Sequence, residues 1–300
     1  MIAASFNSLN ALLDVNPAIF AFFLTLLAGL ATGIGSAIAF FAKRTNAAFL
    51  ATSLGFSAGV MIYVSFVEIM PNAREAIMAE HSDTSSTWIV TAAFFAGVAV
   101  IALLDRFVPE AANPHEYHEL QDFESSIIQP GSVWSDVEKS GGKAKSLSRD
   151  PHLMRVGVVT ALALAIHNFP EGFATFLSGL QAPELAIPVA VAIAIHNIPE
   201  GIAVSVPIYY ATGSRKKGFW LSFASGLSEP LGALIGWALL SQFLNDTIFG
   251  IVFAAVAGVM VFISLDELLP TAEKYGEHHH AIYGLIAGMA VMALSLLLFL

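Results

Sequence analysis

The chain contains no cysteine and few charged residues. Without thiols there can be neither a disulfide framework nor a thiolate metal site, so any metal ion held here must be bound through nitrogen, oxygen or the thioether of methionine. Charged residues make up 12% of the 300 residues, about half the share usual in water-soluble domains, while 56% are hydrophobic. Lysine and arginine together number 13 against 23 aspartates and glutamates, a net charge of -10 that leaves no basic surface for nucleic acid. This is the composition of an all-α integral membrane protein.

Apolar runs long enough for the ~30 Å of hydrocarbon, about 20 helical residues each, recur eight times. They cover residues 17–42, 47–70, 86–108, 153–180, 184–212, 216–242, 246–272 and 279–299. The first has no Lys or Arg before it, lacks a small-residue cleavage pattern and exceeds a signal-peptide core, so it reads as a retained helix. Basic residues collect on one side of this arrangement: Lys43, Arg44, Arg106, Lys139, Lys143, Lys145, Arg149, Arg155, Arg215, Lys216, Lys217 and Lys274, with Arg74 alone on the other. Because Lys and Arg near helix ends stay cytoplasmic, both termini are expected outside the cytoplasm. Residues 1–300 then form one transmembrane domain, and 109–152, rich in Pro, Ser, Gly, Glu and Lys, reads as a flexible cytoplasmic loop within it.

Two phrases, His167-Asn168-Phe169-Pro170-Glu171-Gly172 and His196-Asn197-Ile198-Pro199-Glu200-Gly201, interrupt the fourth and fifth runs. On a helix, residues three and four apart share a face, so His167, Asn168 and Glu171 project together, as do His196, Asn197 and Glu200. Each proline removes an amide donor and is expected to kink its helix, the broken-helix pattern with which transporters build sites at mid-membrane. Polar glue between helices would be a purely structural role, but two copies each carrying an ionisable Glu are poorly explained by packing alone. Facing helices would offer two imidazoles, two carboxylates and two amide oxygens, an inventory for one or two divalent cations.

Glu229, in Ser225-Gly226-Leu227-Ser228-Glu229-Pro230 of the sixth run, is expected to complete the site. Met61, in the small-residue stretch Gly55-Phe56-Ser57-Ala58-Gly59-Val60-Met61, offers a thioether to a borderline metal, although a helical Met is more often packing. Glu68, Glu75, Glu80, His81 and Asp83 suggest an acidic outer mouth. Asp105, Asp266 and Glu267 read as inner vestibule groups, while His278, His279 and His280 read either as a metal relay or as interfacial filler. The loop histidines His115 and His118 read either as solvated linker or as a weak metal collector.

Taken in order, the paired His-Asn-x-Pro-Glu-Gly phrases, Ser-Gly-Leu-Ser-Glu in the sixth run and Asp-Glu-Leu-Leu-Pro in the seventh resemble the ZIP (Zrt-, Irt-like) family of divalent metal transporters, most of all its bacterial ZupT type. The resemblance covers nearly the whole chain. It implies eight helices, with helices 1–3 and 6–8 related by an inverted repeat around helices 4–5, and a homodimer in the bacterial inner membrane. It further implies one metal on His167, Glu171, His196 and Glu200 with Met61 close by, and a second on Asn168, Glu171, Asn197, Glu200 and Glu229. Some relatives have Gln-Asp where this chain has His196-Asn197, so the second position here has one fewer carboxylate. The implied cargo is zinc, with iron(II), manganese, cobalt and cadmium, taken into the cytoplasm by an elevator-like movement. No prosthetic group is implied. A thiol-free His, Glu and Asn site agrees with broad selectivity, and uptake is expected to fall as external acidity protonates its ligands.

The rival from another class is a membrane-embedded metalloenzyme. Such enzymes commonly use His-Glu-x-x-His with a free Glu as base, whereas here Pro separates His from Glu and each carboxylate is wanted as a ligand. An exporter of the same ions is a second rival, and a passive channel is a third.

Overall fold

The computed structural model describes residues 16–41, 47–105, 165–166, 168–180, 183–212, 214–243, 245–275 and 278–298, and every regular element among them is helical. Helix α1 is Pro17–Phe41. Helix α2 runs from Ala47–Val64 through a π turn at Ser65–Ile69 into Met70–Met78, and α3 is Asp83–Asp105. The described part of α4 covers residues 168–180, and α5 is Pro183–Thr212. Helix α6 comprises Arg215–Gly226 and Ser228–Leu240, α7 comprises Asp246–Ile263, a π turn at Ser264–Leu268 and Leu269–Tyr275, and α8 is His278–Leu298.

Among the described residues, six helical stretches are long and apolar enough to cross a membrane: Pro17–Ala37, Ala51–Met78, Asp83–Leu104, Arg215–Leu240, Asp246–Glu273 and His278–Leu298. Helix α5 contributes the shorter apolar stretch Val189–Ile202. The second run was expected to end at residue 70, yet α2 continues to Met78. Its π turn lies just before Pro71, and that of α7 lies just before Pro270. A proline removes one amide and crowds the carbonyl four residues back, and the extra residue of a π turn absorbs that mismatch without ending the helix. Asn245 and Ser214 start α7 and α6 by accepting hydrogen bonds from the Ile248 and Lys217 amides.

Hydrocarbon gives helices no hydrophobic reason to associate, so close backbone approach must supply the packing. Gly55 and Gly59 of α2 lie on the Ala281 and Leu285 carbonyls of α8, and Gly284 and Gly288 return the contact on Thr52 and Phe56. Gly97 and Gly258 join α3 to α7, Gly35 and Gly201 join α1 to α5, and Gly172 and Gly232 join α4 to α6. With α6 also lying on α1 and α5, and α7 on α2, two groups form: α1, α4, α5 and α6, and α2, α3, α7 and α8. The groups meet along α2 and α5, and Phe173, Ala174 and Leu177 of α4 join the apolar cluster of α2, α3 and α7. Large apolar side chains such as Phe23, Leu27, Trp88, Phe95, Leu234 and Leu294 face outward, the surface a lipid environment requires.

Candidate metal centre

The polar phrases meet where α4, α5 and α6 converge. Asn168 and Glu171 on α4, His196, Asn197 and Glu200 on α5 and Glu229 on α6 are all buried. Glu171, His196 and Glu200 each offer one ligand atom within 4.8 Å of the others. His196 Nε2 lies 3.3 Å from Glu171 Oε2 and 3.9 Å from Glu200 Oε1, the second distance following from the one-turn spacing on α5. Placing three carboxylates, Glu171, Glu200 and Glu229, at no more than 1% exposure is costly unless positive charge compensates them.

The last residue of each phrase explains how the ligands come so close. A Cβ at Gly172 would sit 2.0 Å from the Glu229 carbonyl oxygen, and one at Gly201 would sit 2.1 Å from that of Thr32. Only glycine lets α4 lie on α6 and α5 lie on α1 at the residue beside each ligand carboxylate. The helices continue through both prolines: residues 168–180 are helical, and α5 runs unbroken through Pro199. Helices clamped this closely on neighbours tolerate one lost amide. Helix α6 is interrupted at Leu227, next to Glu229-Pro230, where Pro230 has no amide for the Gly226 carbonyl.

The asparagines are oriented by backbone. Asn168 Nδ2 donates to the Ser225 carbonyl at 3.4 Å, and Asn197 Nδ2 donates both to the Ala28 carbonyl at 2.8 Å and to the Glu229 carboxylate. The amide oxygens of both are buried and accept no hydrogen bond among the described residues. Buried, unsatisfied oxygens of this kind are what a cation's ligand shell uses.

Ser57 also belongs to the site, although the sequence marked it only as part of a small-residue stretch. Its hydroxyl, on α2, donates to Glu200 Oε1 at 3.5 Å. Met61 lies one turn further along the same helix and is fully buried in the main apolar cluster with Leu54, Phe253 and Met260. The signal available in the sequence was a hydroxyl four residues before the candidate thioether. His167 lies outside the described residues, as do His115 and His118.

The peripheral groups are more engaged than expected. At the end of the molecule formed by the α2–α3 connection, Asp83 pairs with Arg74, Glu80 accepts from Thr247, and Glu68 of the first π turn accepts from the Asn72 amide at 2.9 Å. The acidic mouth is therefore partly neutralised by its own neighbours. His278 Nδ1 is hydrogen-bonded to Glu273 Oε1 at 2.7 Å, with the His279 ring beside it.

The family described as ZIP Zinc transporter matches residues 110–296. A protein named zinc transporter ZupT in Clostridium perfringens is 61% identical over 286 residues, 95% of this chain and 98% of its own length. Proteins of the same name in Streptococcus mutans and Nitratidesulfovibrio vulgaris are 55% and 54% identical over 93% and 96% of this chain, and over 97% and 100% of their own lengths.

Proposed function

Because the chain belongs to the ZIP zinc transporter family, we propose that it carries zinc across a membrane and into the cytoplasm through the centre between α4, α5 and α6. Membership in a family of transporters sets the metalloenzyme reading aside. The observation that carries the proposal is the buried Glu171, His196 and Glu200 cluster, because three ligand groups so close together in a cysteine-free apolar interior suit a divalent ion. His167 and Met61 complete the ligand shell in this reading, with Asn168, Asn197 and Glu229 alongside. Iron(II), manganese, cobalt and cadmium are further cargo, since nitrogen and oxygen ligands rank first-row ions only weakly.

The same reading makes α4 and α5 the two spans that bring the six apolar ones to eight. It makes residues 1–300 one transport domain, with 109–152 as its cytoplasmic loop, in a homodimer of a bacterial inner membrane with both termini outside. An inverted repeat is supported by pairing: α1 on α5 answers α6 on α4, and α2 on α8 answers α7 on α3. The two π turns, each just before a proline, lie in α2 and α7, the helices such a repeat would exchange. An elevator-like movement is supported by the division of the ligands. Glu171, His196, Glu200, Asn168, Asn197 and Glu229 all lie in one helix group, whereas Ser57 and Met61 lie in the other.

The test is initial zinc uptake into liposomes containing the purified protein, measured across zinc concentrations beside Glu171→Ala. Saturable uptake that the variant loses is the expected result. Uptake by wild type no faster than empty liposomes overturns transport, and normal uptake by the variant overturns this site.

A further inference from the structure

Resting on the zinc-transport reading, we propose that this chain carries one divalent cation per cycle and that the amide nitrogen of Asn197 takes the place a second cation would hold beside Glu229. An amide nitrogen has two hydrogens to give. Those of Asn197 are both committed, one to the Ala28 carbonyl of α1 at 2.8 Å and one to the Glu229 carboxylate of α6. The Ala28 contact fixes which end of the amide faces α6, because turning the group over would set the one Asn197 oxygen against both the Ala28 carbonyl oxygen and the Glu229 carboxylate. A cation approaching Glu229 from the Asn197 side therefore meets N–H hydrogens, which carry positive partial charge.

Asn168 is oriented in the same sense. Its nitrogen is given to the Ser225 carbonyl of α6 at 3.4 Å, and its oxygen is left buried without a hydrogen-bond donor among the described residues, as is that of Asn197. Both asparagines thus use nitrogen to join α4 and α5 to α6 and keep oxygen for a ligand. The charge accounting agrees: Glu171 and Glu200 together balance one divalent ion, and Glu229 already has the Asn197 amide as its donor. Aspartate at position 197 would reverse this. It would set two carboxylates at hydrogen-bond distance in a buried site, an arrangement that demands either a proton or a cation between them.

The test counts tightly bound zinc in the full-length purified protein after dialysis, using elemental analysis, for wild type, Glu171→Ala and Asn197→Asp. Differences between variants cancel any zinc held by peripheral histidines. The expected result is that Glu171→Ala binds one zinc fewer than wild type and Asn197→Asp one more. X-ray absorption at the zinc edge of wild type provides a readout independent of the variants' folding. No zinc–zinc scattering is expected near the spacing of about 3.5–4 Å found in two-metal sites. A loss of two zinc ions in Glu171→Ala or a metal–metal shell in wild type would overturn the single-cation proposal while leaving transport intact. Wild-type protein that takes up no zinc in liposomes would overturn the transport reading itself.

Discussion

At the scale of single residues, the proposed function sets the buried carboxylates of the centre around a cation. Glu171 and Glu200 are 1% exposed, and removing either deletes a ligand and also a charge that is costly to bury. Glu171→Ala and Glu200→Ala are therefore expected to cut zinc uptake to below about a tenth of wild type while membrane insertion is unaffected. Uptake assays beside quantification of the membrane-extracted protein check both halves. Ser57 acts on the site indirectly, by donating to Glu200 from the opposite helix group. A hydrogen bond to a charged group contributes about 1.5 kcal/mol or somewhat more, so Ser57→Ala should raise the KM for zinc roughly tenfold with little change in maximal rate. Ser57→Thr, which keeps the hydroxyl, should restore it. Equal defects in the two variants would show that packing at position 57 matters rather than the hydroxyl.

At the scale of helices, the glycine that ends each phrase determines whether the ligands can meet at all. A methyl group at Gly172 would lie 2.0 Å from the Glu229 carbonyl oxygen, and backbone cannot yield as a flexible side chain can. Gly172→Ala should therefore push α4 away from α6, lowering stability by about 1–3 kcal/mol and reducing uptake as well. Gly288→Ala, whose methyl would meet the Phe56 carbonyl oxygen at 2.1 Å on the α2 and α8 crossing, should lower stability similarly. Thermal unfolding in detergent measures both. The comparison tells whether the ligand-bearing group and the other helix group unfold together. The π turns of α2 and α7 belong to this scale too, since each lets a helix continue through a proline that would otherwise stop it.

At the scale of the whole molecule, orientation and movement are the open physical quantities, and a chain without cysteine is convenient for measuring them. In the proposed orientation the start of α6, where Lys216 and Lys217 are exposed, lies in the cytoplasm. The exposed turn at Ser82 then lies outside. A single cysteine at Ser82 should react with a membrane-impermeant maleimide in intact cells, and one at Lys216 only after permeabilisation. The opposite pattern would invert the topology. The two glycine-joined helix groups meet along a seam that includes α2 and α5, crossed by the hydrogen bond from Ser57 to Glu200, where the proposed elevator-like movement would slide.

Sequence alone determined the class, six of the apolar runs and which intramembrane polar residues to examine as a site. Hydrocarbon forbids unsatisfied backbone and penalises charge, so long apolar helices and a few intramembrane carboxylates stand out in any such chain. Glu171, Asn168, His196, Asn197, Glu200 and Glu229 were legible for that reason, and the structure gathers them between three helices. Helix ends beyond the apolar runs, such as Met70–Met78, were not legible, because a proline reads as a stop unless a π turn is known to precede it. Nor could spacing along the chain reveal Ser57, which reaches Glu200 only because α2 packs on α5. The orientation of Asn197 was equally out of reach: which end of an amide faces Glu229 depends on the Ala28 carbonyl, brought there by the packing of α1 on α5 and fixed by nothing nearer in sequence.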